Sequence, residues 1–383
     1  ASGADAYLLH VTTTPSVAYV TRMDEFDCGI MISASHNPYY DNGIKLINGN
    51  GEKMDEETIL KVEDYIDGKI EVPVAERNEI GRTVDYVAGR NRYIGYLISM
   101  SKYSFKDVKV GLDVANGAAW QIAKGVFEAL GAKTYVMNDA PDGYNINTDC
   151  GSTHIKHLQK FVVDNKLDIG FAYDGDADRC LAVDENGNVV DGDAMMYILG
   201  IRLKNRGMLN KNTVVATVMS NSGFFASLKR AGMEVDQTKV GDRFVYESMQ
   251  NNDFSLGGEQ SGHIIMKKYA TTGDGILTAI MIAEEMCDRK MSLSKLAEPV
   301  TPYPQHLINL RVQSKAAVMS DPAVLAAQKK VDEMINGAGR SLLRESGTEP
   351  VVRVMIEAET PALSQKYATM IADLIKERGH CVE

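Results

Sequence analysis

From residue 108 onward the chain alternates short apolar runs with segments of helical periodicity, and this alternation restricts the fold more than any other feature. Residues 108–113, 134–137 and 167–173 read as strands, separated by a helix that Asn116-Gly117-Ala118-Ala119 leads into, ending near Leu130, and another over 156–165. The pattern repeats with strands at 213–219, 234–235 and 254–258 and helices over 193–206, 222–231 and 274–287. Strands joined through helices build parallel sheets covered on both faces. Ligand sites in such sheets gather beyond strand C-termini. Residues 167–173 aim a strand straight at Asp174-Gly175-Asp176-Ala177-Asp178-Arg179.

The first stretch reads less completely. A strand is expected at 6–11, and Pro15 is placed to open a helix through Met23. A strand at 29–32 then turns polar as Ser33-Ala34-Ser35-His36-Asn37-Pro38-Tyr39-Tyr40-Asp41-Asn42-Gly43-Ile44-Lys45. Residues 55–65 read as an amphipathic helix with Ile59, Leu60, Val62 and Ile66 apolar, and 83–101 as a helix linking domains. Pro302 and Pro304 mark a linker to a smaller α+β unit with strands at 306–312, 341–344 and 351–357 and helices at 322–334 and 363–378. The domains expected are 1–85, 86–191, 192–299 and 300–383.

At 383 residues the chain has room for several domains, and its net charge of -11 disfavours nucleic acid and anionic membranes as partners. No apolar run approaches the length of a membrane span. The five cysteines are scattered, with no C-x-x-C pair, which suits a reducing cytoplasm. Cys28 and Cys180 adjoin apolar runs and are expected to be buried.

Four clusters carry chemistry. Ser35 has His36 beside it and Lys45 ten residues on, and a phosphorylated hydroxyl needs cationic groups around it. Asp174, Asp176 and Asp178 alternate, so an extended backbone throws three carboxylates to one side, where a cation must offset their repulsion. An all-oxygen set suits Mg²⁺. The spacing also opens an EF-hand calcium loop, but Arg179 stands sixth, where that loop needs glycine; the twelfth residue is Glu185. Gly258-Glu259-Gln260-Ser261-Gly262-His263 lets backbone approach a ligand while Glu259 and Ser261 fork onto adjacent hydroxyls. Arg344-Glu345-Ser346-Gly347-Thr348 with Arg353 makes a phosphate cradle.

The serine and aspartate segments, with the other two in the same order, resemble the alpha-D-phosphohexomutase superfamily over nearly the whole chain. The form of the serine segment is most similar to the bacterial branch acting on glucosamine phosphates. The resemblance implies an α/β fold of three similar mixed-sheet αβα domains in series plus a smaller C-terminal α+β domain. Members carry further residues ahead of this point, including an opening strand and a substrate-facing arginine, so the first domain is expected to be incomplete.

By resemblance Ser35 is the phosphorylated residue and, through its phosphate, a metal ligand beside Asp174, Asp176 and Asp178. His36 shapes its loop, Arg179 partners the phosphate, and Lys45 and His263 act as acid/base or charge-stabilising groups. Glu259 and Ser261 hold the sugar, Gly241, Asp242 and Arg243 form a substrate loop, and Arg344, Ser346, Gly347, Thr348 and Arg353 hold the non-reacting phosphate. The implied reaction interconverts glucosamine 6-phosphate and glucosamine 1-phosphate in amino-sugar and peptidoglycan-precursor synthesis. Mg²⁺ is its cofactor and glucosamine 1,6-bisphosphate its intermediate and activator. The partner is a small phosphosugar, with a homodimer contact through domain 1. A glucose or mannose phosphomutase and a phosphosugar-binding fragment impaired in catalysis are the alternatives.

Overall fold

The same strand order occurs twice in the computed structural model, which describes residues 2–346 and 349–382. In one sheet Lys133–Met137, Lys109–Asp113 and Ile169–Tyr173 run parallel, and Cys180–Asp184 and then Val189–Val190 add antiparallel. In the other, Glu234–Thr238, Thr213–Thr217 and Leu256–Gly258 run parallel and Ile264–Met266 closes antiparallel. Both sheets therefore place their strands in the order second, first, third, fourth. The pseudo-repeat legible in the alternation is a repeat of topology.

Burial explains why these segments are strands. Ile169–Tyr173 and Thr213–Thr217 are buried along their whole lengths, as central strands covered on both faces must be. The covering helices are correspondingly apolar. Gly192–Asn205 and Gly275–Arg289 are buried over most of their length and are capped by Asp191 on Ala194 N and Asp274 on Leu277 N. The helix expected to end near Leu130 divides into a 3₁₀ turn, Ala118–Gln121, and Ala123–Ala129.

At the start of the chain Cys28–Ser33 and Gly43–Asn48 form an antiparallel pair, with Met31 opposite Lys45. Helix Thr14–Met23 packs Val17 and Ala18 against Ile47. Pro15 lies in its first turn, where a missing N–H costs no hydrogen bond. Two expectations fail here. The first residues of the 83–101 segment are not helical: Thr83–Asp85 pairs parallel with Ala6–Leu8, and the helix is Val87–Met100. Cys28 is exposed, because the strand alternates and Gly29 takes the buried side. Cys180 is buried. Helix Glu56–Ile66 forms behind the Asp55 cap, but none of its residues is buried.

Residues 1–219 with 231–299 form one compact unit, and residues 220–230 with 300–383 form another. The second unit is a three-stranded antiparallel sheet, Gln305–Arg311, Val351–Glu357 and Arg340–Glu345, packed on Pro322–Ile335 and Pro361–Glu377. Helix Ser222–Arg230 belongs to it, with Ser222 N and Oγ bonded to the buried Glu357 Oε2 at 2.9 and 2.6 Å. Among the described residues no helix is long and apolar enough to cross a membrane.

The topology puts the four chemical clusters in one kind of place, the turns between strands. Residues 174–179 and 259–263 are the turns between third and fourth strands of the two sheets. Residues 34–42 are the turn between the two antiparallel strands of the first domain, and 346–350 join two antiparallel strands of the last unit.

Candidate active site

Ser35 begins just beyond its strand and holds a left-handed backbone, φ 53°. Its hydroxyl donates a long hydrogen bond to Asp174 Oδ2, 3.4 Å away, and lies 3.5 Å from His36 Nδ1. Burial, and then the Arg179 guanidinium, hold the His36 imidazole below its usual range. From the returning strand Lys45 extends to Asp176 Oδ2 at 2.5 Å and Asp178 Oδ2 at 2.8 Å. The serine, the lysine and the three aspartates, far apart in sequence, thus form one polar cluster.

The aspartates are all buried, and one ligand oxygen from each lies within 4.8 Å of the others. Burial, followed by the negative charge of Asp178 and Asp176, pushes the Asp174 carboxyl well above its ordinary range. Asp178 goes the other way. Burial opposes its ionisation, but His263 and Lys45 outweigh that and hold it well below the usual range. Lys45 is likewise penalised by burial, and the carboxylates of Asp178 and Asp176 overcome this to hold it protonated.

Asp176 Oδ1 and Asp178 Oδ1 are buried without a hydrogen-bond partner. With one oxygen of each aspartate within 4.8 Å of the others, this all-carboxylate set fits a small divalent cation. Glu185, twelfth from Asp174, lies beyond strand Cys180–Asp184 and accepts from Ser294 N and Oγ.

The third turn docks against the second. Cys180 N donates to Gly262 O at 3.1 Å, and a Cβ on Gly262 would stand 2.0 Å from Cys180 O. Gly262 also has φ 91°, so glycine is required twice over. This docking sets His263 beneath Asp178, only 3% exposed, with Nδ1 3.7 Å from Asp178 Oδ1. Its Nε2 accepts from Gly273 N at 3.0 Å and lies 3.6 Å from Asp242 Oδ2. Burial lowers its basicity, yet Asp178 and then Asp242 raise it further than burial lowers it. Glu259 Oε1 accepts from Gly241 N at 3.1 Å, joining two of the expected sugar-binding segments. Ser261 Oγ and Arg179 Nε are buried without hydrogen-bond partners.

Arg243 does not join this group. Its guanidinium meets Glu56 at 3.0 Å and Glu247 at 2.8 Å, while Asp242 pairs with Lys53. In the C-terminal unit Arg344 and Arg353 are direct cross-strand partners, so two like charges face each other. Burial and then Arg353 hold the Arg344 guanidinium below its usual range. Arg353 Nε is buried and unpartnered, and Nη2 lies 3.7 Å from Glu349. Ser346 is buried beside them, its carbonyl accepting from Lys315 Nζ at 2.6 Å. Gly347 and Thr348 lie outside the described residues.

Family models match the four segments in order: phosphoglucomutase/phosphomannomutase alpha/beta/alpha domain I at residues 1–72, domain II at 91–187, domain III at 191–303 and the C-terminal domain at 307–374. The chain belongs to the phosphoglucomutase/phosphomannomutase family. Among curated relatives, the phosphoglucosamine mutase of Lachnospira eligens is 58% identical over 383 residues, covering 100% of this chain and 85% of its own. That of Lachnoclostridium phytofermentans is also 58% identical, over 99% of this chain and 85% of its own. A Burkholderia thailandensis phosphoglucomutase/phosphomannomutase family protein shares the fold at TM-score 0.81 and 22% identity, over 99% of this chain and 84% of its own. An Aspergillus fumigatus N-acetylphosphoglucosamine mutase, solved with GlcNAc-6P and magnesium, shares it at 0.71 and 19%, over 96% and 93%.

Three residues of this phosphohexomutase chain escaped the sequence reading. Thr14 Oγ1 donates to Asp176 Oδ2, and Thr14 N to Asp176 O at 3.1 Å. Asn147 reaches the serine turn, and Lys315 reaches Ser346. Only Thr14 carried a signal, since three threonines precede Pro15, and that signal reads equally as a helix cap.

Proposed function

We propose that the chain interconverts glucosamine 6-phosphate and glucosamine 1-phosphate through a phosphorylated Ser35 and a bisphosphorylated sugar. The observation that carries this reading is the approach of Ser35 Oγ to Asp174 within the cluster where Lys45 meets Asp176 and Asp178. The sugar is taken from the relatives, which are named phosphoglucosamine mutases. The division into domains 1–85, 86–191, 192–299 and 300–383 follows the same reading.

In the first transfer, phosphorus breaks its bond to Ser35 Oγ and bonds the free hydroxyl oxygen of the sugar monophosphate. The proton shed by that hydroxyl is taken up by Lys45 as Lys45 gives its own to Ser35 Oγ, so the step balances. Lys45, held protonated by its carboxylate neighbours, would act as the proton donor to Oγ and as the cation for the transferring oxygens. His263 supports this from below by keeping Asp178 ionised. The bisphosphate then turns over, and its other phosphate returns to Ser35 with the same bonds reversed. Arg344, Ser346 and Arg353, with Gly347 and Thr348, hold the phosphate that is not reacting. Glu259, Ser261 and the Gly241-Asp242-Arg243 loop hold the ring, Arg243 leaving Glu56 and Glu247 to do so. Mg²⁺ bound by Asp174, Asp176, Asp178 and the serine phosphate would neutralise charge on the transferring group.

Intact-mass measurement after incubation with glucosamine 1,6-bisphosphate tests the reading. The chain is expected to gain one phosphoryl group and the Ser35→Ala variant none. An equal gain in both would remove Ser35 from the role.

A further inference from the structure

Ser35 sits in a backbone conformation that a non-glycine residue adopts only at a cost. Its φ is 53°, in the left-handed region, and surrounding contacts offset that cost. One contact is local: Ser35 N donates to Ser33 Oγ at 2.8 Å. The others come from the second domain. The Asn147 amide uses its two hydrogens on two carbonyls of the turn, with Nδ2 2.8 Å from both Ser35 O and Asn37 O. Gly175 N, inside the aspartate turn, donates to Ser35 O at 3.0 Å and occupies the second lone pair.

Asn147 is itself fixed. It is 7% exposed, its N donates to Ala115 O at 3.0 Å, and its own φ is 58°. The contact is close enough that a Cβ on Gly175 would stand 2.5 Å from Ser35 O and 3.0 Å from Asn147 Nδ2. The peptide of Ser35 is therefore tethered at its N–H and doubly at its carbonyl. Only the side chain is left to turn between Asp174 and a substrate.

We propose that Asn147 is a positioning residue for phosphoryl transfer, clamping the Ser35 turn onto the aspartate turn so that Oγ is presented in one orientation. This rests on the reading of Ser35 as the phosphoryl carrier. A transferring group must lie in line with both oxygens, and an error of about 1 Å in its carrier costs on the order of 100-fold in rate. Asn147 touches no reacting atom, so its loss is expected in turnover and not in sugar affinity.

Asn147→Gly isolates the amide, because glycine accepts the left-handed backbone and lacks the donor. The expected result is a folded protein with kcat lower by about 10- to 100-fold and KM for glucosamine 1-phosphate within about threefold. Phosphoryl uptake from glucosamine 1,6-bisphosphate, followed by intact mass, should slow by the same factor. Ser33→Ala, which removes the local tether without touching the second domain, should show the same split between kcat and KM to a smaller degree. Asn147→Asp, of the same shape and compatible with the left-handed backbone but without the amide hydrogens, serves as the test should the glycine variant not fold. A folded Asn147→Gly protein with kcat within about twofold of the parent would overturn the proposal, as would Asn147→Asp with unchanged kcat where that variant stands in. Ser35→Ala, run alongside, separates the two ideas. Phosphate uptake by that variant defeats the nucleophile assignment, whereas its silence beside a fully active Asn147→Gly defeats the clamp alone.

Discussion

Lys45 Nζ lies 2.8 Å from Asp178 Oδ2, although the lysine belongs to a two-stranded hairpin of the first domain and the aspartate to a turn of the second. Asp176 shares the same ammonium, so two buried carboxylates depend on one lysine from another part of the chain.

Lys45→Met removes that charge and leaves the carboxylates facing one another. Turnover is expected to fall by at least about 100-fold, through loss of both the proton donor and the stabilising cation. Because the lysine is 27% exposed, solvent screening keeps the stability loss to about 1–2 kcal/mol. Scanning calorimetry should show a lower Tm, recovered by added Mg²⁺ to a greater extent than in the parent. An unchanged Tm and rate would mean the ion pair has no role.

Divalent ions should stabilise the chain through Asp174, Asp176 and Asp178. A ligand at 100 times its Kd adds about 2.7 kcal/mol to folding stability. Mg²⁺ is therefore expected to raise Tm, and chelation to reverse this and stop turnover. Asp176→Asn should blunt the rise severalfold. Should the variant and the parent respond alike, the ion binds elsewhere.

Asp274 gives a pH signature independent of catalysis. It is buried, with Oδ1 accepting from Leu277 N and Oδ2 from Tyr93 OH at 2.8 Å. Burial pushes its carboxyl from 3.8 up to about 6. Between those values the folded chain holds a proton that the unfolded chain has released. This group's contribution to stability is therefore greatest below 3.8 and declines as pH rises to about 6, by on the order of 3 kcal/mol. Asparagine keeps the helix cap without the charge. Asp274→Asn should melt above the parent at about pH 7.5, with the gap closing toward about pH 4.5. A gap independent of pH would contradict the assignment.

Arg344 and Arg353 face each other across the C-terminal sheet, and an anion between them would relieve the repulsion. Inorganic phosphate is expected to raise the Tm of the parent and not of Arg353→Ala. That variant should also raise KM for glucosamine 1-phosphate by about tenfold or more, the loss of a charge-assisted contact. A parent-like KM would place the phosphate elsewhere.

Local patterns were legible before folding. The alternation of strand and helix determined parallel sheets with sites beyond their strands, because burial on both faces writes continuous apolar runs into the sequence. The spacing of Asp174, Asp176 and Asp178 determined a carboxylate cluster that could hold a cation, because three carboxylates on one turn carry their repulsion with them. What the site is made of, however, depends on contacts between turns that are distant in sequence. Residues 83–85 read as helix because their strand partner is Ala6–Leu8, nearly eighty positions earlier. Arg243 read as a ligand of the substrate, and only its neighbours Glu56 and Glu247 reveal its present pairing.

The sequence by itself determined which groups could carry phosphate and cation, since residue type and near-neighbour spacing set their chemistry. Tertiary structure alone decided that Asn147 grips the serine turn, that Thr14 holds Asp176 and that His263 lies under Asp178. Hydrogen bonds and ion pairs form over a few ångströms, and only the docking of one hairpin turn upon another brings such distant residues within that range.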